Sequence, residues 1–348
     1  MKKVAVIILS YDGLKFLPQL LGSLFDYNPL TVRQEVIVVD NHSDDGTVPW
    51  LKKEYSQVTL LVQPENLGFA AGNNIGFKYA AAKKFDYAML LNQDTIVTAG
   101  YLDRLIKTAE ASKATAAVQA RLMLYPQQDR INSLGNVIHY LGFGYTYGHQ
   151  HRQIKLRFGD GRINYCSGAA CLLKISVLNK VGFFDEDLFI YHEDLELGWR
   201  LKMFGFESVI EPAAVVYHQY EFSRSIKKFY FMERNRFIVM IQNYKLATLL
   251  LILPAVIVSE LGLFVFAVKS GWWQEKLRVY FYFLSLAHWR RIIEQRRKVQ
   301  QSRVSRDRTV IWDFSGIIEH QEVESRLMRC LNPCFNWYWQ LVKRLIIW

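Results

Sequence analysis

The sequence lacks most of the signatures by which common function classes announce themselves. Only four of its 348 residues are cysteine, Cys166, Cys171, Cys330 and Cys334, and they form no C-x-x-C pair. That pattern points to free thiols in a reducing compartment rather than to metal ligands or disulfides. Cys166 and Cys171 stand an odd number apart in a stretch of strand character, which predicts opposite faces. No P-loop occurs. Where a dinucleotide-binding unit would place G-x-G-x-x-G after its first strand, this chain has Ser10-Tyr11-Asp12-Gly13-Leu14-Lys15, which argues against hydride transfer. Internal repeats and low-complexity tracts are missing too. Charged residues make up only 22% of the chain against 51% apolar, which excludes a disordered chain or a collagen and leaves enough apolar mass for a sizeable core. The opening Met1-Lys2-Lys3 and apolar residues 4–9 imitate a signal peptide, but the run is too short and no small-residue cleavage site follows. A first strand is expected there instead.

What the chain has is cationic charge, unevenly spread. Forty-three Lys and Arg face 32 Asp and Glu, a net +11. Residues 1–245 carry 28 basic and 24 acidic side chains; residues 246–348 carry 15 and 8, or +7 in under a third of the length. Such an excess suits anionic partners: nucleotide phosphates, acidic lipid or nucleic acid.

The first 125 residues alternate strand and helix patterns. Residues 4–9, 35–40, 58–62 and 87–91 are expected as strands, with helices between them, including residues 69–82. Alternation of this kind predicts a parallel sheet with both faces covered, and ligands outside the carboxyl ends of its strands. Polar clusters fall at those ends: Ser10-Tyr11-Asp12, Asp40-Asn41 and Asn92-Gln93-Asp94. Residues 126–162, rich in glycine and aromatics, predict loops and hairpins or a lid. Residues 164–173 are expected as strand, 193–204 as an amphipathic helix stopped by Gly205, and 208–218 as extended chain interrupted by Pro212. After Glu221 the chain turns to helices with aromatic and basic faces.

Several clusters carry chemistry. Asp40-Asn41-His42-Ser43-Asp44-Asp45-Gly46-Thr47 fits either a polar turn with a helix cap or a set of acceptors for a nucleobase or ribose. Gly68, Gly72 and Gly76 would form one bare stripe on a helix. Either close packing on the sheet or close approach of a ligand accounts for it. Asp94 ends a very apolar strand and must meet water or a cation. A partly buried carboxylate in His192-Glu193-Asp194-Leu195-Glu196, at a helix start among aromatic residues, would serve as a general base. His218 closes an apolar strand and gains chemical interest only beside Asp94.

Together these pieces closely resemble the family 2 inverting glycosyltransferases, particularly bacterial rhamnosyltransferase-like and galactofuranosyltransferase-like members. The resemblance rests on Ser10-Tyr11-Asp12, Val39-Asp40-Asn41-x-Ser43-x-Asp45-Gly46-Thr47, Asn66-x-Gly68-Phe69-Ala70-x-Gly72-Asn73-Asn74-x-Gly76, Leu91-Asn92-x-Asp94 and Phe189-x-Tyr191-x-Glu193-Asp194-x-Glu196-Leu197-x-x-Arg200. It runs in order over residues 2–245. It implies an α/β GT-A fold, Rossmann-like, with a mostly parallel sheet and helices on both faces. It implies a nucleotide-diphosphate sugar donor bound by Ser10, Tyr11, Asp40, Asn41, Asn66, Gly68, Phe69, Gly72, Asn73 and Asn92. Asp94, with Asn92 in place of the first Asp of a D-x-D motif, and His218 would hold a divalent metal, Mg²⁺ or Mn²⁺. Asp194 would be the catalytic base. Ser167, Gly168, Glu193, Arg200, Arg234 and Arg236 are the implied acceptor or phosphate contacts. One base and no covalent nucleophile would give inversion. Rhamnose, galactofuranose, galactose and glucose donors all remain compatible.

The tail is expected to face a membrane. Residues 246–259 carry no charge, Glu260 interrupts, and residues 261–268 continue apolar, together about 34 Å of helix. Lys269, Trp272, Trp273 and Lys276 follow like an interfacial anchor. Arg290, Arg291, Arg296, Arg297, Lys298, Arg303, Arg306 and Arg308 then stand against only Glu294 and Asp307. Residues 1–222 are therefore expected to form the catalytic domain. Residues 223–348 would be a helical region held to anionic lipid on the cytoplasmic face of a bacterial inner membrane, with 246–268 spanning, re-entrant or packed as a core helix. The acceptor would be a saccharide, free or polyprenyl-diphosphate-linked, and no nucleic acid is expected. The rival readings are a nucleotidyltransferase acting on sugar phosphates and a basic membrane adaptor without activity.

Overall fold

A computed structural model describes residues 1–27, 29–219, 227–318 and 326–348. By contacts the chain divides into two compact units. The first comprises Met1–Asn136, Thr146–Leu201 and Phe206–Glu221; the second comprises Val137–Tyr145, Lys202–Gly205 and Phe222–Trp348. The second unit thus takes in two short stretches that the sequence reading assigned to the catalytic domain.

The first unit opens with β1 (Lys2–Ser10), α1 (Leu17–Asp26), β2 (Val32–Asp40), α2 (Thr47–Glu54), β3 (Thr59–Val62) and α3 (Gly68–Ala82). It continues through β4 (Tyr87–Asn92), β5 (Thr95–Val97), α4 (Tyr101–Glu110) and β6 (Thr115–Leu124). The short strands β7 (Ile131–Ser133), β8 (Asn136–Ile138), β9 (Gly144–Thr146) and β10 (Arg162–Ile163) follow, of which β8 and β9 fall mostly in the second unit. Then come β11 (Ala170–Lys174), α5 (Ile175–Val181), α6 (Glu193–Met203) and β12 (Glu207–His218). Ten strands form one sheet in the order β10-β12-β6-β11-β4-β1-β2-β3, with β5 on β12 and β7 on β6. Strands β3, β2, β1 and β4 run parallel, as the alternation predicts. The sheet as a whole is mixed, because β11 enters antiparallel between β4 and β6.

Val4, Val6 and Ile8 of β1 join Leu17, Leu20, Leu21, Leu102 and Leu105 in the core against α1 and α4. Ile7 and Leu9 point the other way, toward α3. Both faces are covered, which is why the strand has no polar alternation. The glycine stripe belongs to this second face. A Cβ on Gly72 would lie 2.4 Å from Leu9, and one on Gly76 would lie 2.4 Å from Ile7. The stripe therefore lets α3 settle onto β1; of its two readings, helix-on-sheet packing is the one observed.

Three expectations change. Residues 164–169 are loop, and only Ala170–Lys174 is strand. Cys166 and Cys171 line one small cavity rather than facing apart, and the Cys171 thiol points its hydrogen to the Leu172 carbonyl at 3.8 Å. Cys166, Cys171 and Cys334 are free thiols, and the Cys330 side chain lies outside the described residues. Residues 131–141 are no surface lid, since Ile131, Asn132, Ser133, Val137, Ile138, His139, Tyr140 and Leu141 are buried.

The second unit is helical: α7 (Lys227–Asn243), α8 (Leu246–Lys269), α9 (Trp273–Tyr282), α10 (Leu286–Ser302), α11 (Asp307–Val310) and α12 (Arg326–Leu345). Helix α8 continues through Pro254. Among the described residues it alone is long and apolar enough to cross a membrane, and only 17% of its most apolar window is buried. Leu246, Leu250, Leu253, Ile257, Leu261, Phe264 and Val268 form an exposed stripe at helical spacing. Its one carboxylate, Glu260, turns inward. It pairs with Arg236 of α7 and, at 2.8 Å, with Lys276 of α9, while Glu233 of α7 pairs with the same two cations.

Candidate active site

The carboxyl ends of β1 and β2 lie in register, with Ser10 beside Asp40. Both are buried, and among the described residues Ser10 Oγ and Asp40 Oδ1 have no hydrogen-bond partner. The other Asp40 oxygen accepts from the Ser43 amide at 3.1 Å. Two unsatisfied polar atoms side by side at a strand end suit a ligand that supplies the missing partners. Tyr11 next to them is exposed, its amide held by Gln93 Oε1 at 3.0 Å and its carbonyl by Gln93 Nε2 at 3.1 Å.

Not every residue assigned to the donor is free to serve it. Asn41 donates to Asn66 Oδ1 at 2.9 Å and accepts from the Leu67 amide at 2.9 Å, so these side chains bind the end of β2 to the start of α3. Gly68 has φ +80°, and a Cβ there would strike the Phe189 ring at 2.5 Å. Gly68 and Gly72 are thus packing positions. Asn73 is buried and donates to the Phe69 carbonyl within α3. The Phe69 ring instead lies against Gly168, 3.1 Å from where its Cβ would be. Asn92, at the end of β4, gives its amide to Ala169 and its carbonyl to Thr95.

Asp94 and His218 meet. Nε2 of the histidine lies 3.3 Å from Asp94 Oδ1, with the aspartate side chain 26% exposed. Strand β5 pairing with β12 makes this contact, since it sets His218 opposite Thr95. His218 Nδ1 is 3.0 Å from Asn132 Oδ1. Among the described residues no group of three or more His, Cys, Asp or Glu gathers closely enough to hold a metal.

Asp194 begins α6 facing the loop before β11. One carboxylate oxygen accepts from the Gly168 amide at 3.3 Å, the other from the Leu195 amide at 2.7 Å. Burial pushes its pKa up to about 6, against those two hydrogen bonds. Glu193 is buried as well, with Oε2 unpartnered; burial and then the Asp194 charge drive it well above the usual carboxyl range. The approach to α6 is strained, with Phe189, Tyr191 and His192 all at φ between 62° and 70°. Non-glycine residues in that region collect where the surroundings hold a functional geometry in place.

The loop of Ser167 and Gly168 is fixed from β6: Gln119, fully buried, accepts from the Ser167 amide at 2.8 Å and donates to Ser133 at 3.2 Å. Sequence reasoning missed Gln93, Gln119 and Asn132, because each acts across strand register on residues far along the chain. It overreached at the arginines. Arg200 is buried, bound to Glu196 at 2.5 and 2.9 Å and to the carbonyls of Val181 and Phe183. Arg236 belongs to the buried charge cluster with Glu233 and Glu260. Arg234 donates to Asn235 and lies over the rings of Tyr230, Phe231 and Tyr282. Arg200 and Arg236 hold protein rather than phosphate.

Comparison with known proteins bears on the family and the fold. The sequence pattern described as Glycosyl transferase family 2 matches residues 5–182, a span that stops short of Asp194 and His218. An N-acetylglucosaminyl-diphospho-decaprenol L-rhamnosyltransferase of Mycobacterium tuberculosis is 29% identical over 201 residues, covering 53% of this chain and 66% of that protein. A poly-beta-1,6-N-acetyl-D-glucosamine synthase of Staphylococcus aureus is 28% identical over 185 residues, covering 53% and 42%. The matches thus span less than two thirds of either relative. Among solved structures, S. aureus TarS in complex with UDP (its first 349 residues) has a TM-score of 0.52 at 17% identity, covering 99% of this chain and 90% of that one. GalNAc-T7 with UDP, GalNAc and Mn²⁺ has 0.53 at 14%, covering 67% and 47%. These two likenesses are of fold. The mixed sheet, the polar ends of β1, β2 and β4, and a family match across half the chain lead to one conclusion: the chain belongs to glycosyl transferase family 2.

Proposed function

We propose that this protein is an inverting glycosyltransferase that moves a sugar from a nucleotide-diphosphate donor to a hydroxyl of a saccharide acceptor. The observation that carries the reading is Asp194: a partly buried carboxylate at the base position the resemblance implies, held toward the Ser167–Gly168 loop with its pKa raised to about 6. A base with that proton affinity is ionised at neutral pH yet still basic enough to take a hydroxyl proton. Burial and then the charge of Asp194 push Glu193 well above the usual carboxyl range, which favours its protonated form and leaves Asp194 as the base of the pair.

The donor's nucleoside is assigned to the ends of β1 and β2, where Asp40 Oδ1 and Ser10 Oγ await partners. UDP in the TarS and GalNAc-T7 structures supports a nucleotide there. Asp94 and His218 fit a divalent cation, Mg²⁺ or Mn²⁺. His218 Nδ1 lies 3.0 Å from Asn132 Oδ1 and Nε2 lies 3.3 Å from Asp94 Oδ1; the tautomer that donates from Nδ1 to Asn132 would turn its Nε2 lone pair toward the carboxylate, a pair of donors that would suit a metal. Such a metal supplies charge neutralisation for the leaving diphosphate. Asp194 accepts the acceptor's hydroxyl proton as that oxygen attacks the anomeric carbon. The bond from that carbon to the donor phosphate oxygen breaks on the opposite face, and its electron pair leaves with the diphosphate.

The acceptor is assigned as lipid-linked, building a bacterial surface polysaccharide or its precursor. The decaprenol carrier in the rhamnosyltransferase's name and the exposed apolar stripe of α8 support this. Anionic lipid is the proposed partner of the second unit, on the cytoplasmic side where nucleotide sugars are made. The exposed cations of the basic stretch 290–308 are Arg290, Arg291, Arg297, Lys298, Arg306 and Arg308, each contributing about 1 kcal/mol near such a surface. Arg296 and Arg303 are not among them, being occupied by backbone carbonyls and, for Arg303, by Asp307. Incubating the full chain with UDP-, dTDP- and GDP-sugars, with and without Mn²⁺ or Mg²⁺, tests the reading. Metal-dependent release of nucleoside diphosphate from one donor is expected; binding of no nucleotide sugar under any condition would overturn it.

A further inference from the structure

With Arg200 and Arg236 committed to protein partners, the first unit holds a different arginine whose charge is unspent. Arg121 lies on β6. Val118, Ala120 and Leu122 of that strand face the core with α1 and α4, so Ala117, Gln119 and Arg121 face the opposite side. That is the side of Asp194, which lines one small cavity together with Ala117, Gly168 and Cys171. Gln119, whose carbonyl oxygen holds the Ser167 amide, precedes Arg121 by one strand repeat, roughly 7 Å toward the amino end. Arg121 therefore projects from the same face as the groups that fix the Asp194 loop, one step nearer the carboxyl edge where ligands gather. Val215 is its neighbour in register on β12, and Met123 and Tyr217 follow as the next pair.

Arg121 is partly buried, and its Nε is shut off from solvent without a partner. Among the described residues its guanidinium has no hydrogen bond, ion pair or aromatic ring, in contrast to Arg200, which is bound on all sides. Removing a cation from water without an anion to meet it is costly, and a planar guanidinium fork matches phosphate oxygens.

We propose that Arg121 positions a substrate phosphate at the Asp194 site, either in the donor's diphosphate or in a phosphate carried by the acceptor. This rests on the transferase reading and adds to it a residue that the family motifs did not single out. The test is titration calorimetry on the full chain in detergent with Mn²⁺, using UDP, inorganic pyrophosphate and geranyl diphosphate as probes. Arg121→Gln is expected to weaken at least one probe by about tenfold or more, with KM rather than kcat changed in turnover. If UDP excludes pyrophosphate and both weaken, the phosphate is the donor's. If pyrophosphate or geranyl diphosphate still binds the UDP-saturated parent and that binding is lost in the variant, it is the acceptor's. Arg121→Met, which keeps the stem's packing, replaces the Gln variant should that one melt early, and Arg121→Lys is expected to recover part of the loss. Parent-like affinity for all three probes in a folded Gln or Met variant would overturn the assignment. So would a Lys variant of parental stability that binds no better than Met. Failure of the parent itself to bind UDP or dTDP would instead count against the transferase reading, and with it this inference.

Discussion

Glu193 and the partly buried Asp194 in the first unit and Glu233 in the second are all helix carboxyls withdrawn from water, yet their proton affinities move in opposite directions. Burial pushes the first two up. Burial alone would raise Glu233 too, but Arg236 and then Lys276 overcome it and hold it down to about 2. The difference lies in the company. The helical unit surrounds its buried acids with cations in a closed cluster, whereas the α/β unit gives Asp194 only two backbone amides. A buried carboxylate left without a counter-charge is unfavourable for the fold and useful for proton transfer. One with two partners is structural.

The largest expected effect comes from removing the unpaired charge. Asp194→Asn should leave nucleotide binding by calorimetry close to the parent's while lowering kcat by about 10²–10⁴-fold. Equal turnover in the two would strip Asp194 of its role. The counterpart in the second unit is Lys276→Met, which leaves Glu233 and Glu260 to share Arg236. Urea unfolding followed by circular dichroism should show a loss of about 3 kcal/mol. An unchanged midpoint would mean the cluster contributes nothing net.

The same comparison predicts two pH dependences of opposite sign. The catalytic rate should rise with pH through about 6 as Asp194 ionises, then level off. Because its folded pKa lies above the ordinary 3.8, Asp194 favours the folded state at low pH, and that contribution is lost as pH rises from 3.8 through about 6. Glu233, lowered from 4.5 to about 2, contributes stability that is fully present above 4.5 and is lost as pH falls through about 2. A pH–rate profile alongside melting curves from pH 2 to 8 checks both signs. The smallest effect is expected for Glu193→Gln. Burial and the Asp194 charge favour the protonated form of Glu193, which an amide mimics, so kcat should change by no more than about threefold. A fall as deep as that of Asp194→Asn would show that the two acids exchange roles.

How much of this was legible in the sequence depends on how local the cause is. The parallel half of the sheet, α3 and the start of α6 were readable because apolar periodicity and helix punctuation are set within a dozen residues. Asp94 and His218 were each recognisable by type, but their meeting depends on β5 pairing with β12. The antiparallel entry of β11 was not readable, since residues 164–173 form a plausible strand throughout, and the turn at 164–169 is imposed by Gln119 from β6. Arg200 was misassigned although its partner, Glu196, stands four residues earlier on the same helix, a spacing that favours pairing. The glycines of α3 were ambiguous for a deeper reason: a bare helix face serves a ligand and a sheet equally well, and only Leu9 and Ile7 decide between them.

The inward turn of Glu260 also has a consequence for the order of events during synthesis. When residues 246–269 leave the ribosome, α9 is still enclosed in the exit tunnel, so Lys276 cannot yet neutralise the carboxylate. Cut out and fused to a reporter, the segment would carry its charge bare and would be a worse guest for a bilayer than its hydropathy suggests. Within the finished unit that charge is internal, and only the stripe from Leu246 to Val268 looks outward. Affinity for a lipid surface would then be acquired on completion of the fold, and mutations in α7 or α9 that never touch lipid would be able to abolish it.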